Sequence, residues 1–377
     1  MHSYTIPEKI LSYTASWQQE LPGKTLLTVA YVGSQGRNLF LRGWTNRIVG
    51  VNMNPTTGAA IPVMQFGNQL AQMDFKTSHG TDHYDSMQTT LNRRFNSGLT
   101  FGSQWTWGHS LGNTGGSNEA NTTQDPTNFN LDRGNNNFDV RHSANITALY
   151  ELPYGQGKKF GHDSSPLVKG IFGGWQVGEV WNYNSGLPFE VRVTRPDIVY
   201  RDSRDGTFVA SPIVVNGAPV TVPVINTPGG GNFRNFRRPD YIGGDPFIHT
   251  GDKRFFLNPA AFAIPAAGRV GNLGRNVLHG PTLAQFDLTV QKRFQIHEHT
   301  NLEFRAEMYN LFNRANFANP PVQLNQSLGT GANQLQPDVP FTPAAAGGAF
   351  GVFSSTIEKA VGLGAQRQIQ LSLRLNF

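Results

Sequence analysis

The sequence predicts an all-β chain of antiparallel strands, each with an apolar and a polar side, and three observations carry that prediction. The last twelve residues, Q-R-Q-I-Q-L-S-L-R-L-N-F, alternate strictly. Ile369, Leu371, Leu373, Leu375 and Phe377 fall on one face, opposite Gln368, Gln370, Ser372, Arg374 and Asn376. Composition is the second observation: 42 Gly and 23 Pro against only 15% charged residues suit strands joined by long loops. The third is an alternation of short turns with long connections, the pattern of a transmembrane β-barrel. A soluble sandwich ending in an amphipathic strand would alternate equally well, but long structureless loops would count against it in a compact domain.

Nine period-two segments are predicted. Lys9 to Gln19 puts Leu11, Tyr13, Ala15 and Trp17 on one side. Glu20-Leu21-Pro22-Gly23 then turns the chain into Thr25 to Gly33, with Leu27, Val29 and Tyr31. Tyr84 to Phe95 and Leu99 to His109 are joined by Asn96-Ser97-Gly98, and the second carries Leu99, Phe101, Trp105 and Trp107. Val140 to Glu151 and Trp175 to Asn184 are joined across a longer Gly- and Lys-rich link. Leu283 to Phe294 and Asn301 to Asn313 set Phe286, Leu288 and Val290 against Leu302, Phe304, Ala306 and Met308. The terminal segment is the ninth.

Between these pairs run residues 34–83, 110–139, 185–282 and 314–365, rich in Gly, Asn, Pro and Thr. With the carboxyl terminus in the periplasm, counting back puts every short turn in the periplasm and every long loop outside. No stretch approaches the roughly 18 to 20 apolar residues of a membrane helix, so insertion would be by strands. The mean hydropathy of -0.36 agrees, because only alternate residues must meet lipid. Two features stand against this reading. Glu179 is in register with Trp175, Val177, Trp181 and Tyr183, which puts a carboxylate on the lipid side unless a bulge or a shifted register removes it. Nine strands is also odd, whereas bacterial single-chain barrels close with even numbers.

The residues carry a family resemblance. Glu20-Leu21-Pro22-Gly23 with Val29-Ala30-Tyr31-Val32-Gly33-Ser34-Gln35-Gly36-Arg37-Asn38-Leu39 resembles the carboxyl-terminal barrel of TonB-dependent receptors of the Oar-like type common in Acidobacteria. So do Arg93-Arg94-Phe95 to Trp107, Phe138-Asp139-Val140-Arg141-His142, Gly173-Gly174-Trp175-Gln176 and Gly271-Asn272-Leu273-Gly274-Arg275-Asn276. Phe304-Arg305-Ala306-Glu307 and Asn310-Leu311-Phe312-Asn313 complete the series. The resemblance implies an outer-membrane active transporter of about 22 strands, closed by an amino-terminal plug. It further implies energy from TonB with ExbB and ExbD, and often an added carboxypeptidase-regulatory-like domain. Residues 1–377 then correspond to the final third or so of such a receptor. They contain no plug, no TonB box and no signal peptide, since M-H-S-Y-T-I-P-E-K-I lacks a basic region followed by an apolar one.

Other function classes find little. The net charge of +6, from 31 basic and 25 acidic residues, is spread without a Lys/Arg block, so nucleic acid is not an expected partner. The absence of cysteine says little about redox compartment. His79 and His83 beside Asp82 and Asp85 could imitate a metal cluster but lie in the approach to a strand; solvated loop residues explain them. His297-Glu298-His299 falls in a short turn, the Gly run at 229–231 opens no phosphate site, and no nucleophile-elbow or Walker motif occurs. Neither enzyme chemistry nor a cofactor is expected. Trp17, Trp105, Trp107, Trp175, Trp181 and Tyr183 read as an interfacial girdle, with a sugar-stacking platform the alternative. Phe233, Arg234, Phe236, Arg237 and Arg238 form a basic and aromatic loop stretch that is a candidate for contacts to a transported ligand, a saccharide or a chelate, with loop packing or a lipopolysaccharide-facing surface as the alternatives. Leu373, Leu375 and Phe377 match the terminal signal read by barrel-assembly machinery, as the resemblance implies. Expected surroundings are outer-membrane lipid and lipopolysaccharide. The competing function is a surface adhesin or structural barrel without transport.

Overall fold

A computed structural model describes residues 6–94, 98–115, 123–155, 157–228, 237–249, 251–297, 300–325, 328–357 and 363–377. Nine long strands appear where the alternation predicts them: β1 (Lys9–Leu21), β2 (Thr25–Thr45), β3 (Met73–Arg94), β4 (Leu99–Gly112), β5 (His142–Glu151), β6 (Trp175–Asn184), β7 (Leu283–Gln295), β8 (Asn301–Tyr309) and β9 (Gln368–Asn376). They pair in chain order as one antiparallel meander, and the two-residue strand Gly134–Asn135 adds to β4. Within the described residues β1 pairs only with β2 and β9 only with β8, so the sheet is open at both edges.

The pairing is staggered. Across the hydrogen bonds a single row runs Leu21, Thr25, Arg93, Phe101, Ala148, Glu179, Leu288, Met308, Ile369. It starts at the turn end of β1 and finishes near the opposite end of β9, eight positions before Phe377. At about 3.3 Å per residue that is a shear of roughly 26 Å across the wall, the tilt a barrel needs in order to close.

Cross-strand partners share a face, so the register makes the two faces continuous. Trp17, Val29, Trp105, Tyr183, Phe286, Val290, Phe304 and the odd-numbered residues of β9 lie on one side. The other carries Thr28, Gln88, Gln104, Asn145, Asn182, Gln291 and Arg305. Apolar side chains on the first face are not covered by protein: Trp107 is 52% exposed and Leu371 70%. The chain's buried core lies elsewhere. Val191, Val193, Phe262, Ile264, Leu324 and Phe341 centre a cluster drawn wholly from the two longest connections, 185–282 and 310–367.

One expectation about the wall needs correction. The predicted loop 34–83 is much shorter, because β2 and β3 continue far past Gly33 and Tyr84 and leave only residues 46–72 as a connection. The pair survives two register shifts around Leu39, beside Asn38 with its positive φ of 56°, and Gly80 sits where a Cβ would lie 2.5 Å from the Leu39 carbonyl oxygen. These bulges and glycines hide the strands from a search for alternation. Glu179 is not removed by a bulge; β6 keeps unbroken register with both β5 and β7, so its side chain lies on the apolar face. The β5–β6 link contains a short helix, α1 (Pro166–Phe172), started by Ser165 as N-cap with Pro166 at its first turn.

Candidate functional site

The features able to carry function are the polar face of the wall, the loop body at its far end, and the terminal strand. On the polar face, a cavity of about 650 Å3 opens among Asp82, Tyr84, Gln88, Ser110 and Asp139. One wall of it is the turn Asn136 to Asp139, folded back over β4. The Asn136 N–H donates to the Ser110 carbonyl oxygen at 3.0 Å, its side-chain amide donates to Ser110 Oγ at 2.8 Å, and the Ser110 N–H donates to Asp139 Oδ1 at 2.6 Å. Asp139 Oδ2 lies 3.4 Å from Arg141 Nε and 4.0 Å from His279 Nε2. Burial alone would raise the Asp139 pKa; the His279 ring, the Ser110 N–H and the Arg141 charge outweigh it and hold the carboxyl below the usual carboxylate range. The Phe138-Asp139-Val140-Arg141-His142 run is thus a clasp between the β4–β5 connection and the sheet.

A second cavity, about 880 Å3, lies at the extended ends of β2 and β3. Trp44, Phe66, Phe75 and Phe129 give it aromatic surfaces, and Lys76 and Arg47 give it positive charge. The His79 ring tilts against Phe129 at 6.3 Å. Among the described residues no group of three or more His, Cys, Asp or Glu side chains is arranged to hold a metal. Asp82 accepts a hydrogen bond from Thr114 Oγ, and Asp85, on the apolar face, accepts from the Tyr31 and Tyr13 hydroxyls at 2.5 and 3.3 Å.

The loop body is tied internally by arginines. Arg238 donates through Nη1 to Asp132 at 2.7 Å and Glu190 at 3.0 Å, through Nη2 to the Leu131 carbonyl at 2.7 Å and through Nε to the Leu273 carbonyl at 2.9 Å. Burial disfavours its charge, but Asp132 and Glu190 outweigh burial and raise the pKa above the ordinary arginine value. Arg195 and Arg237 are buried with less compensation, and desolvation lowers each to about 10. Four carbonyl oxygens, those of Arg269, Asn226, Pro265 and Ala266, accept from Arg195 at 2.7 to 3.1 Å. Of the five residues expected to meet a loop ligand, Arg237 and Arg238 therefore lie inside the body rather than on its surface, 7% and 2% exposed. Phe233, Arg234 and Phe236 lie outside the described residues. Sequence reasoning missed the clasp and the arginine ties, whose partners arrive from distant parts of the chain.

The terminal strand keeps its apolar row outward, with Leu373 68%, Leu375 53% and Phe377 96% exposed, and one hydrogen-bonding edge open. A family description, the outer membrane beta barrel domain, matches residues 4–370. The chain belongs to that family. The outer-membrane barrel domain accordingly resides in the outer membrane, and its uncovered apolar face is the one that meets lipid. The polar face of the barrel domain then lines the lumen. No curated protein matches the chain significantly.

Proposed function

We propose that this barrel domain is the carboxyl-terminal part of a TonB-dependent receptor of the Oar-like type, taking up a ligand too large or scarce for porins. The observation that carries the reading is the staggered wall of nine strands with two open edges. An unpaired strand edge in lipid leaves N–H and C=O groups without water or partner, at several kcal/mol for each group. Such a wall calls for further strands, and a barrel large enough to hold a plug supplies them. Energy would enter through TonB, ExbB and ExbD by way of that plug. The long loops act as the outer vestibule and the polar face as the path. The aromatic and basic cavity between Trp44, Phe75, Lys76 and Phe129 suits stacking and hydrogen bonding to a saccharide, with a metal chelate the other ligand class. No enzymatic step and no cofactor enter this reading.

The alternative is a surface adhesin, favoured by the loop body's own packed core, which offers a rigid outer surface without need of a plug. The deciding experiment takes the native polypeptide carrying this carboxyl terminus from an outer-membrane fraction and determines its size and amino-terminal sequence. A chain of roughly 700 residues or more, with a plug after a cleaved signal, supports the transporter. A plug-free chain, or no ligand uptake dependent on TonB, favours adhesion.

A further inference from the structure

The β5–β6 connection does more than turn the chain. Its helix α1 folds back onto the outer, lipid-facing side of the wall. The Ile171 carbonyl oxygen accepts a hydrogen bond from Trp175 Nε1 at 2.9 Å and another from Lys292 Nζ at 2.5 Å. Both donors belong to the apolar face, where Trp175, Lys292, Phe304 and Leu373 form one cross-strand row. Lys292 is 2% exposed, with its ammonium 4.9 Å from the Trp175 ring centre and 4.6 Å from that of Phe294. A lysine buried between two aromatic rings and a helix-end carbonyl is a fastening, and it fixes α1 at the lipid rim beside the short turns.

What α1 turns away from the wall is apolar. Leu167 is 73% exposed, Phe172 57% and Ile171 52%, and Phe160, earlier in the same connection, is more than half exposed. These side chains extend the outward apolar face that already includes Phe294, Leu373, Leu375 and Phe377. The same connection carries Lys158, which pairs with Glu151 at the end of β5 at 2.8 Å, and Lys159 and Lys169 against a single aspartate, Asp163, which His162 contacts at 2.7 Å. Exposed apolar side chains interspersed with lysines, at the edge of a lipid-covered surface, form an element that lies in a membrane interface.

We propose that residues 158–172 are an interfacial anchor for the anionic phospholipid surface of the periplasmic leaflet. Leu167, Ile171 and Phe172 enter the boundary between headgroups and acyl chains, and Lys159 and Lys169 meet lipid phosphates. The occupant is argued from two things: continuity with the lipid-facing side of the barrel domain, and the excess of positive charge. The proposal rests on the short turns being periplasmic, not on what the barrel transports.

The sequence has no cysteine, so Leu167→Cys in the full-length protein gives a unique site within this domain for a polarity-sensitive fluorophore. The labelled protein is reconstituted in phosphatidylcholine vesicles with and without phosphatidylglycerol. Expected are a blue-shifted emission, quenching by lipid-borne nitroxides, shielding from aqueous iodide, and stronger shielding with phosphatidylglycerol. Lys159→Gln and Lys169→Gln should each weaken the phosphatidylglycerol-dependent part about fivefold. Heat-modifiable mobility on gels reports barrel folding separately. Water-like emission with full iodide access in a folded barrel overturns the proposal. So does shielding indifferent to phosphatidylglycerol and to both lysines, or shielding that grows with protein density, which would make a second copy the occupant.

Discussion

Arg238 shows how a single side chain holds the outer part of this molecule together. It pairs with Asp132 and Glu190, 106 and 48 residues away in sequence, and all three are buried. Arg238→Met would leave the buried Asp132 without an ion-pair partner and Glu190 with Arg192 alone, 3.4 Å away, a loss of about 3 kcal/mol to the loop body. The expected result is rapid proteolysis within 185–282 while heat-modifiable mobility of the barrel stays normal; protected loops would contradict it. Asp139 gives a pH dependence. Its folded pKa lies below the ordinary value of about 3.9, so the stability it contributes is complete above that value and is lost as pH falls through the lower folded one. Asp139→Asn should remove this acid limb from the unfolding of the clasp, and an unchanged limb in hydrogen exchange of Ser110 would refute the assignment. Glu179 is the opposite case, a carboxylate on the lipid side between Ala148 and Leu288. Glu179→Leu should stabilise the barrel by about 1 to 2 kcal/mol in denaturant titrations from bilayers, less than the penalty known for a midplane Arg or Lys. A destabilised variant would mean that Glu179 has a partner in the membrane. The sequence shows Glu179 in register with its aromatics, yet it shows Arg237 and Arg238 as merely basic, because burial depends on acids that only the fold brings near.

At the scale of elements, alternation finds each wall strand to within a few residues wherever one side must face lipid. It fails where that requirement stops. β2 and β3 run 21 and 22 residues, against the roughly 9 to 11 that cross a bilayer, and their outer halves pair with each other instead of alternating. The helix α1 escapes for a related reason: seven residues are too few to display a helical period, and the Lys292 contacts that fasten it come from the next hairpin. β9 belongs to the legible class. Among the described residues its outer edge is unpaired and Phe377 at its end is almost fully exposed, so the strand can accept another strand there, as the proposed role of an assembly signal requires. Deleting Phe377 from the full-length protein should lower the folded barrel recovered in the outer membrane several-fold without changing the stability of what is inserted. Equal recovery would leave Phe377 as an ordinary strand end.

For the whole molecule, the decisive quantities are the shear and the edges. A row that climbs from Leu21 to Ile369 is a segment of a tilted barrel wall, and its two free edges cannot rest in hydrocarbon. If this wall is part of the proposed larger barrel, the amides of β1 and β9 in the native membrane protein should exchange hydrogen as slowly as those of β4 and β5, because the added strands cover them. Fast exchange confined to the alternate outward-pointing amides of β1 or β9 would show that the wall is open and would remove the basis for the large-barrel reading.

The sequence by itself determined nine strands, their order of pairing and which side of each meets lipid. Those features follow from a two-residue period and from turns such as Glu20 to Gly23, which are local properties of the chain. The tertiary structure decided the length of β2 and β3, the absence of a bulge at Glu179, the burial of Arg238 and the packing of two long connections around Val191, Phe262 and Phe341. Each depends on contacts between residues tens to hundreds of positions apart, where no short-range pattern records which groups will meet.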